Sequence, residues 1–223
     1  MNNFSRLAGG MINRSKEIKF KFNQKILKGF EGDTLASALL ANNQKLVARS
    51  FKYHRPRGIF SAGSEEPNAL LTILSDGGLE PNTRATVVEL FDGLEAKSQN
   101  HKGPLQFDFM RVNDLLSPFL SAGFYYKTFM WPKTFWEKIY EPIIRAAAGL
   151  GELEKKADPS IYDKGFLHCD LLIIGAGPSG LIAALEAAQN GLEVILADED
   201  FIIGGRLNSD DEQIDGFSGS IWV

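Results

Sequence analysis

At 223 residues the chain has room for one large or two small domains with cores of their own. Its 24 Lys and Arg against 28 Asp and Glu leave a net charge of -4, which excludes the basic excess of a nucleic-acid or anionic-membrane binder and points to small molecules or proteins as partners. One cysteine, Cys169, excludes an intrachain disulfide framework or a four-cysteine metal site; with no apolar leader and no run near the ~20 residues of a membrane span, a cytoplasmic protein without membrane contact is expected.

Residues 1–16 lack periodicity and read as a flexible arm, with order expected from Glu17. Ile18, Phe20 and Phe22 alternate with Lys19 and Lys21, the period of a half-buried strand, and residues 24–27 pair back across a turn at Asn23. In GDTLASALLANN, Asp33 or Thr34 caps a helix whose Leu35, Ala38 and Leu39 share one face and which ends at Asn42 and Asn43. A hairpin followed by such a helix opens a β-grasp fold, the fold of plant-type ferredoxins, although many α+β domains begin this way.

The next segment, RSFKYHRPRGIFSAGSEEPNALLTIL, places Arg49, Lys52, His54, Arg55 and Arg57 within nine residues, interleaved with Phe51 and Tyr53; Pro56 and Gly58 force a turn. A solvated basic loop and a docking surface for a partner or an anion both fit. His54 has no second imidazole or thiolate nearby and is not expected to bind metal. Residues 70–74 read as a buried strand, 75–78 as a turn, and 86–90 as another strand closed by Asp92 and Gly93. Residues 17–103 thus form a ferredoxin-like α+β domain. Plant-type clusters need cysteines spaced C-x4-C-x2-C. Laid on the turn PRGIFSAG, those positions fall on Ser61, Glu66 and Ala69, so no cluster and no metal site is expected.

Residues 104–166 form an aromatic-rich helical connector. Phe119, Phe124, Tyr125, Tyr126, Phe129, Trp131, Phe135, Trp136 and Tyr140 lie within 22 positions. Phe135, Ile139 and Ile143, beside Trp136, Tyr140 and Ile144, have helical spacing, and Pro142 is expected to break or kink that helix. So much aromatic area calls for a cover: a neighbouring domain or subunit, or a flavin stacked on one ring. Residues 149–165 read as an exposed charged linker.

Residues 167–223 read as the N-terminal βαβ part of a Rossmann-type dinucleotide-binding domain. In CDLLIIGAGPSGLIAALEAAQNGLEVILAD a strand leads into GAGPSG and a helix. Gly175 permits the sharp turn, Gly177 lets backbone approach a pyrophosphate without a Cβ, and Gly180 lets helix and strand pack closely. Ala176 and Ser179 complete the loop, and Pro178 suits the first helical position. Free amides there, with the helix dipole, bind phosphate oxygens. Leu181, Leu185 and Ala188 are expected to face the sheet, with Asn190-Gly191 as a left-handed cap. Asp198, 23 positions past Gly175, ends the second strand where a carboxylate takes both ribose hydroxyls; with Glu199 and Asp200 it disfavours a 2′-phosphate, so NAD or FAD is preferred to NADP. Gly204 and Gly205 give a second close backbone approach, with Arg206 as a phosphate or adenine contact, or are a simple loop turn. With two strands of a doubly wound sheet in hand, the chain is expected to be an N-terminal fragment. His54, His101 and His168 are scattered, and no catalytic residue is assigned.

GDTLASALLAN, RSFKYHRPRGI, EEPNALL, AGFYYKTFMWP, CDLLIIGAGPSGL and ADED followed by GGRL together resemble the N-terminal part of the α subunit of heterotetrameric sarcosine oxidase. The glycine motif is shared by many flavoproteins; RSFKYHRPRGI and AGFYYKTFMWP are more specific. The resemblance implies a ferredoxin-like domain lacking its cluster, an NAD-holding domain, and a tetrahydrofolate-binding region beyond this sequence. It also implies a flavin-bearing β subunit with FAD and the amine-oxidising site, FMN at the α/β interface, and smaller subunits. The implied reaction demethylates sarcosine to glycine, releasing hydrogen peroxide, with the one-carbon unit leaving as formaldehyde or methylene-tetrahydrofolate. Related hydrogen cyanide synthase and amino-acid dehydrogenase subunits carry the cluster cysteines, so Ser61, Glu66 and Ala69 favour the sarcosine oxidase branch. The fragment alone is expected to be inactive; a stand-alone or truncated NAD/FAD-binding interaction module, or an amino-acid dehydrogenase subunit, is the alternative.

Overall fold

The computed structural model describes all residues except 1–5, 8, 9, 11, 76, 77, 119, 121, 124–128, 130, 149–154, 160, 211 and 212. The expected turn residues Asp76 and Gly77, and Phe119, Phe124, Tyr125 and Tyr126, therefore lie outside the described residues. Two compact units result, Met1–Phe60 with Pro67–Pro159 and Ser61–Glu66 with Ser160–Val223.

The first unit is built on a hairpin. Strand β1 (Asn13–Phe22) pairs antiparallel with β2 (Lys25–Glu31), and Asn23 and Gln24 both have positive φ, 46° and 72°, as a two-residue turn matched to strand twist requires. Ile18, Phe20 and Phe22 are buried, as their alternation predicts. The strand starts at Asn13, not at Glu17, across an irregular register, with Asn13 Nδ2 donating to Glu31 at 2.9 Å. Nor is all of the preceding arm loose: the Arg6 guanidinium donates to both Asp33 oxygens at 2.8 and 2.6 Å, and both side chains are buried.

Helix α1 (Leu35–Ala41) is capped by Thr34, whose Oγ1 accepts from Ser37 N at 3.1 Å. Asp33 instead accepts from Phe30 N and Ser37 Oγ. Leu35, Ala38 and Leu39 are fully buried.

Short strands β3 (Ala48–Arg49) and β4 (Pro56–Arg57) clamp the ends of the basic loop. Strand β5 (Leu70–Ser75) pairs antiparallel with β6 (Gly78–Arg84) and with β7 (Glu95–Ser98), and β7 runs parallel to β1. The sheet order is β2-β1-β7-β5-β6. The strand expected at 86–90 is absent, and β6 takes its place. Pro81 hides β6 from a pattern search, but Pro is tolerated on an edge strand. Residues 85–90 strap the start of α1 instead: Ala36 N donates to Ala85 O at 2.9 Å and Leu35 N to Val88 O at 2.8 Å, satisfying amides that a helix start leaves unpaired. Phe20, Phe22, Leu35, Leu39, Val47, Leu71 and Leu94 fill the core, each worth about 1.5–3 kcal/mol on burial.

The connector holds a 3-10 turn (Phe109–Arg111), α2 (Val112–Leu115), a π-helical turn (Trp136–Tyr140) and α3 (Glu141–Ala148). Pro142 neither breaks nor ends the helix. It is the second residue of α3, directly after the π turn in which Glu141 N donates to Trp136 O, and that turn takes up the missing donor. Phe129 and Tyr140 pack with centroids 5.2 Å apart, while Trp131 and Ile143 stay exposed.

In the second unit β8 (Leu171–Ile174) and β9 (Val194–Ala197) pair in parallel, joined by α4 (Pro178–Gln189). Gly191 adopts a positive φ, 83°, past the helix. The expected sheet-facing stripe is displaced: Leu185 and Ala188 are exposed, whereas Leu181, Ala184 and Ala187 are half-buried or buried. A Cβ on Gly180 would stand 1.9 Å from Gly175 O, so helix and strand meet through small residues and α4 is rotated toward them. A 3-10 turn (Gly205–Asn208), the β10 (Gln213–Ile214) and β11 (Phe217–Ser218) pair, and α5 (Gly219–Trp222) follow.

Candidate nucleotide-binding site

The loop between β8 and α4 is set by its glycines. Gly175 has φ 103°, a conformation costly for any residue with a Cβ. Gly177 is the N-cap in extended backbone (φ -71°), and a Cβ there would meet nothing within 4 Å. The space in front of it is open, not filled by protein. Leu181 N donates to Gly177 O at 2.9 Å, but the amides of Gly177, Ser179 and Gly180 make no hydrogen bond among the described residues. Three donors thus point from a twelve-residue helix start, the arrangement that receives a phosphate group.

Asp198 closes the loop from the end of β9. Its Oδ2 accepts from Ala176 N and its Oδ1 from Asp200 N at 2.8 Å. The Ala176 amide, then that of Asp200, lower its pKa below the usual carboxylate range, outweighing burial. An ionised carboxylate, held by the amides of Ala176, Asp200 and Glu199, therefore stands beside the glycine loop, where ribose hydroxyls can reach it. Gly204 N donates to Ala176 O at 2.8 Å with φ 112°, and a Cβ on Gly205 would stand 3.2 Å from Gly177 Cα. Close approach at Gly204-Gly205 is therefore part of the loop. Arg206 is not gathered in: it is exposed and faces Asp210 at 3.6 Å. Glu199 is exposed beside Asp198.

At the positions of the expected cluster ligands the residues do not fit a thiolate-bound cluster. Glu66 is buried and its carboxylate accepts from Ser61 N at 2.6 Å, and Ala69 is part of the hydrophobic core. Among the described residues no group of three His, Cys, Asp or Glu is placed to hold a metal ion, and no helix is long and apolar enough to cross a membrane.

The basic loop is less solvated than its composition predicts. Arg49 is buried and donates to the carbonyls of Leu105 (2.9 and 2.7 Å), Gln106 (3.0 Å) and His54 (2.9 Å). His54 is buried too, with Nδ1 2.6 Å from Asp108 Oδ2 and Nε2 without a partner among the described residues. Burial opposes the Asp108 charge, but the amides of Lys102 and Met110 and the His54 ring outweigh it and hold its carboxyl low. Arg55 and Arg57 are exposed and Lys52 is half-buried, with Lys52 and Arg55 each over the Tyr53 ring. Sequence reading misses this network because its halves lie 54 residues apart and neither has a pattern of its own.

A family described as 2Fe-2S iron-sulfur cluster binding domain matches residues 15–101, and one described as FAD dependent oxidoreductase matches residues 170–211. Sarcosine oxidase subunit alpha from Rhizobium meliloti (strain 1021) is 58% identical over 97% of this chain and 22% of that protein. The chain is similar to sarcosine oxidase subunit alpha over nearly its whole length. The corresponding subunit alpha from Corynebacterium sp. (strain U-96) is 35% identical over 98% of the chain and 18% of its own length. The resemblance read from the sequence is borne out, and the chain spans about a fifth of the length of these relatives. Sarcosine oxidase subunit alpha is an oxidoreductase subunit, and the second match gives the glycine-rich unit a flavin link. Among solved structures, L-proline dehydrogenase from P. horikoshii aligns with TM-score 0.48 and 21% identity over 92% of this chain and 29% of that one, too loose a likeness to bear on function. The single cysteine of the chain, Cys169, lies outside the segment matching the iron-sulfur family.

Proposed function

We propose that the chain is the part of a multi-subunit sarcosine oxidase α subunit that holds an adenine dinucleotide and docks other subunits. In this reading a β-grasp domain without a cluster precedes the start of a Rossmann-type domain. The observation that carries it is the meeting of three unbonded amides, those of Gly177, Ser179 and Gly180, with the ionised Asp198 around one open loop. The amides and the helix dipole take the pyrophosphate, Asp198 with Glu199 takes the ribose hydroxyls, and Gly205 keeps the backbone close. Arg206 exchanges Asp210 for a phosphate or the adenine.

The acids Asp198, Glu199 and Asp200 disfavour a 2′-phosphate, and the resemblance to subunit alpha favours NAD. The FAD dependent oxidoreductase match over residues 170–211 supports FAD as the second reading of the same loop. NAD, when bound, supplies a hydride-accepting nicotinamide; the residues of this chain hold and orient it. No residue here is assigned to catalysis. Oxidation of sarcosine, with FAD, FMN and tetrahydrofolate, is assigned to the flavin-bearing β subunit, the smaller subunits and the further length of the α subunit, and the 223-residue chain alone is inactive.

Gly177→Ala tests the site cleanly, because the new methyl meets nothing within 4 Å in the free protein but fills the space a pyrophosphate needs. Nucleotide released by acid from the purified full-length subunit should be NAD. The variant should bind NAD at least tenfold more weakly at an unchanged Tm. Release of FAD would establish the second reading, and no calorimetric signal with either NAD or FAD would overturn the site.

A further inference from the structure

Residues 102–116 carry apolar surface that neither the sheet core nor the glycine loop uses. Phe107, Phe109 and Leu115 are 78%, 76% and 81% exposed, with Val112, Leu116 and, on the basic loop, Phe51 also exposed. Phe107, Phe109 and Leu115 alone present roughly 400 Å², within the range at which a surface patch on a protein is commonly functional. Scattered surface leucines need no explanation, but three large side chains left open within nine residues do.

Beneath this surface lies an uncommonly fixed support. Arg49 ties the carbonyls of Leu105 and Gln106 to that of His54, and His54 meets Asp108 at 2.6 Å. Asp108 Oδ1 in turn accepts from Lys102 N at 2.9 Å and Met110 N at 3.0 Å. His54 is held at φ 53°, which is unfavourable for a residue with a Cβ. A buried ionic network and a strained residue are costly ways to hold a segment that contributes little to the core. What the network achieves is to hold the loop at 50–55 and the segment at 102–110 in one shape, and a surface fixed before it meets its partner loses less entropy on binding.

Charge indicates what fits there. Lys102 and Arg111 flank Phe109 and Val112, are exposed, and make no ion pair among the described residues. Asn113 Nδ2 donates to Lys52 O at 3.3 Å, and Arg55 pairs with Asp114 at 2.6 Å, which brings the cationic loop alongside α2. Among the described residues of 50–55 and 102–116 the carboxylates are Asp108, which is buried, and Asp114, which is already paired with Arg55. On a chain of net charge -4, an apolar surface with a cationic border is locally distinct. Its complement is an apolar segment flanked by carboxylates.

We propose that Phe107, Phe109, Val112 and Leu115, bordered by Lys102 and Arg111, form the surface on which another subunit docks through an apolar segment flanked by Asp or Glu. The assignment rests on the reading of the chain as part of a multi-subunit oxidase and names the docking site that reading requires.

The test is photo-crosslinking in the assembled complex, with p-benzoylphenylalanine at position 115 of the full-length subunit coexpressed with the other subunits. Crosslinked peptides should belong to a different subunit and contain apolar residues next to Asp or Glu. Phe109→Glu should weaken assembly at least tenfold with the thermal unfolding of the free subunit unchanged, since the side chain is already exposed. Arg111→Glu should weaken assembly more at low than at high salt. Crosslinks to the same polypeptide or to a second copy of it, or normal assembly of Phe109→Glu, would overturn the docking site while leaving the subunit reading intact. Copurification with no other chain would overturn both.

Discussion

The Asp198 carboxylate accepts from Ala176 on the glycine loop and from Asp200 on its own turn, so one side chain fixes the loop and stands where a ligand can reach it. Its folded pKa lies below the usual value, and the sign of the pH effect follows. The stabilising contribution is complete above the unfolded pKa of about 3.9, and it is lost as pH falls through the lower folded value. NMR of the Ala176 and Asp200 amides should therefore show a titration with its midpoint below about 3.9, absent in Asp198→Asn. Dinucleotide affinity should be flat from ~pH 5 to ~pH 8 on this account. A midpoint at or above the ordinary value would mean that the Ala176 amide does not hold the charge.

At the scale of elements, the β1–β2 hairpin turns on two residues in left-handed backbone, Asn23 and Gln24. Asn tolerates that region, whereas Gln gains no local hydrogen bond to offset a strain of about 1–2 kcal/mol. Gln24→Gly relieves it but adds unfolded-state entropy, so a net gain of about 0.5–1 kcal/mol is expected, read as a higher urea midpoint at constant m. A loss would show that Gln24 is held by something besides the turn. Local signals of this kind made the hairpin, the Thr34-capped helix, β5, β8, α4 and β9 legible in the sequence. What could not be read depends on pairing. Strand β6 contains Pro81 and gains its identity only from the β5 edge; residues 85–90 look like a strand but satisfy the amides at the start of α1; and the α4 stripe shifts to Leu181, Ala184 and Ala187 because Gly180 draws the helix onto Gly175. The glycine loop and Asp198 were legible because their spacing is dictated by backbone geometry. The surroundings of Arg49 and His54 were not, because burial there comes from residues 105–108.

Across the whole chain, apolar burial is divided unequally between the two units. The first buries the sheet core, including Phe20, Phe22, Leu35, Leu39 and Leu71. In the second, Ala176 and Ala187 are the buried hydrophobic residues among those described, and Leu172, Ile174, Ile182 and Leu185 are exposed. Parallel strands are ordinarily covered on both faces, and a unit with so little buried area opens at low free energy. Hydrogen exchange on the 223-residue chain should therefore show amides of β1, β5 and β7 protected at least a hundredfold more than those of β8, β9 and α4. A ligand that binds only the closed form adds RT ln(1 + [L]/Kd), about 2.7 kcal/mol at a hundred times Kd. Saturating NAD should thus slow exchange in β8, α4 and β9 by about a hundredfold and leave β1, β5 and β7 unchanged. Equal protection in both units without ligand would mean that the second unit draws its stability from something other than apolar burial. A ligand effect confined to the first unit would place the dinucleotide away from the glycine loop.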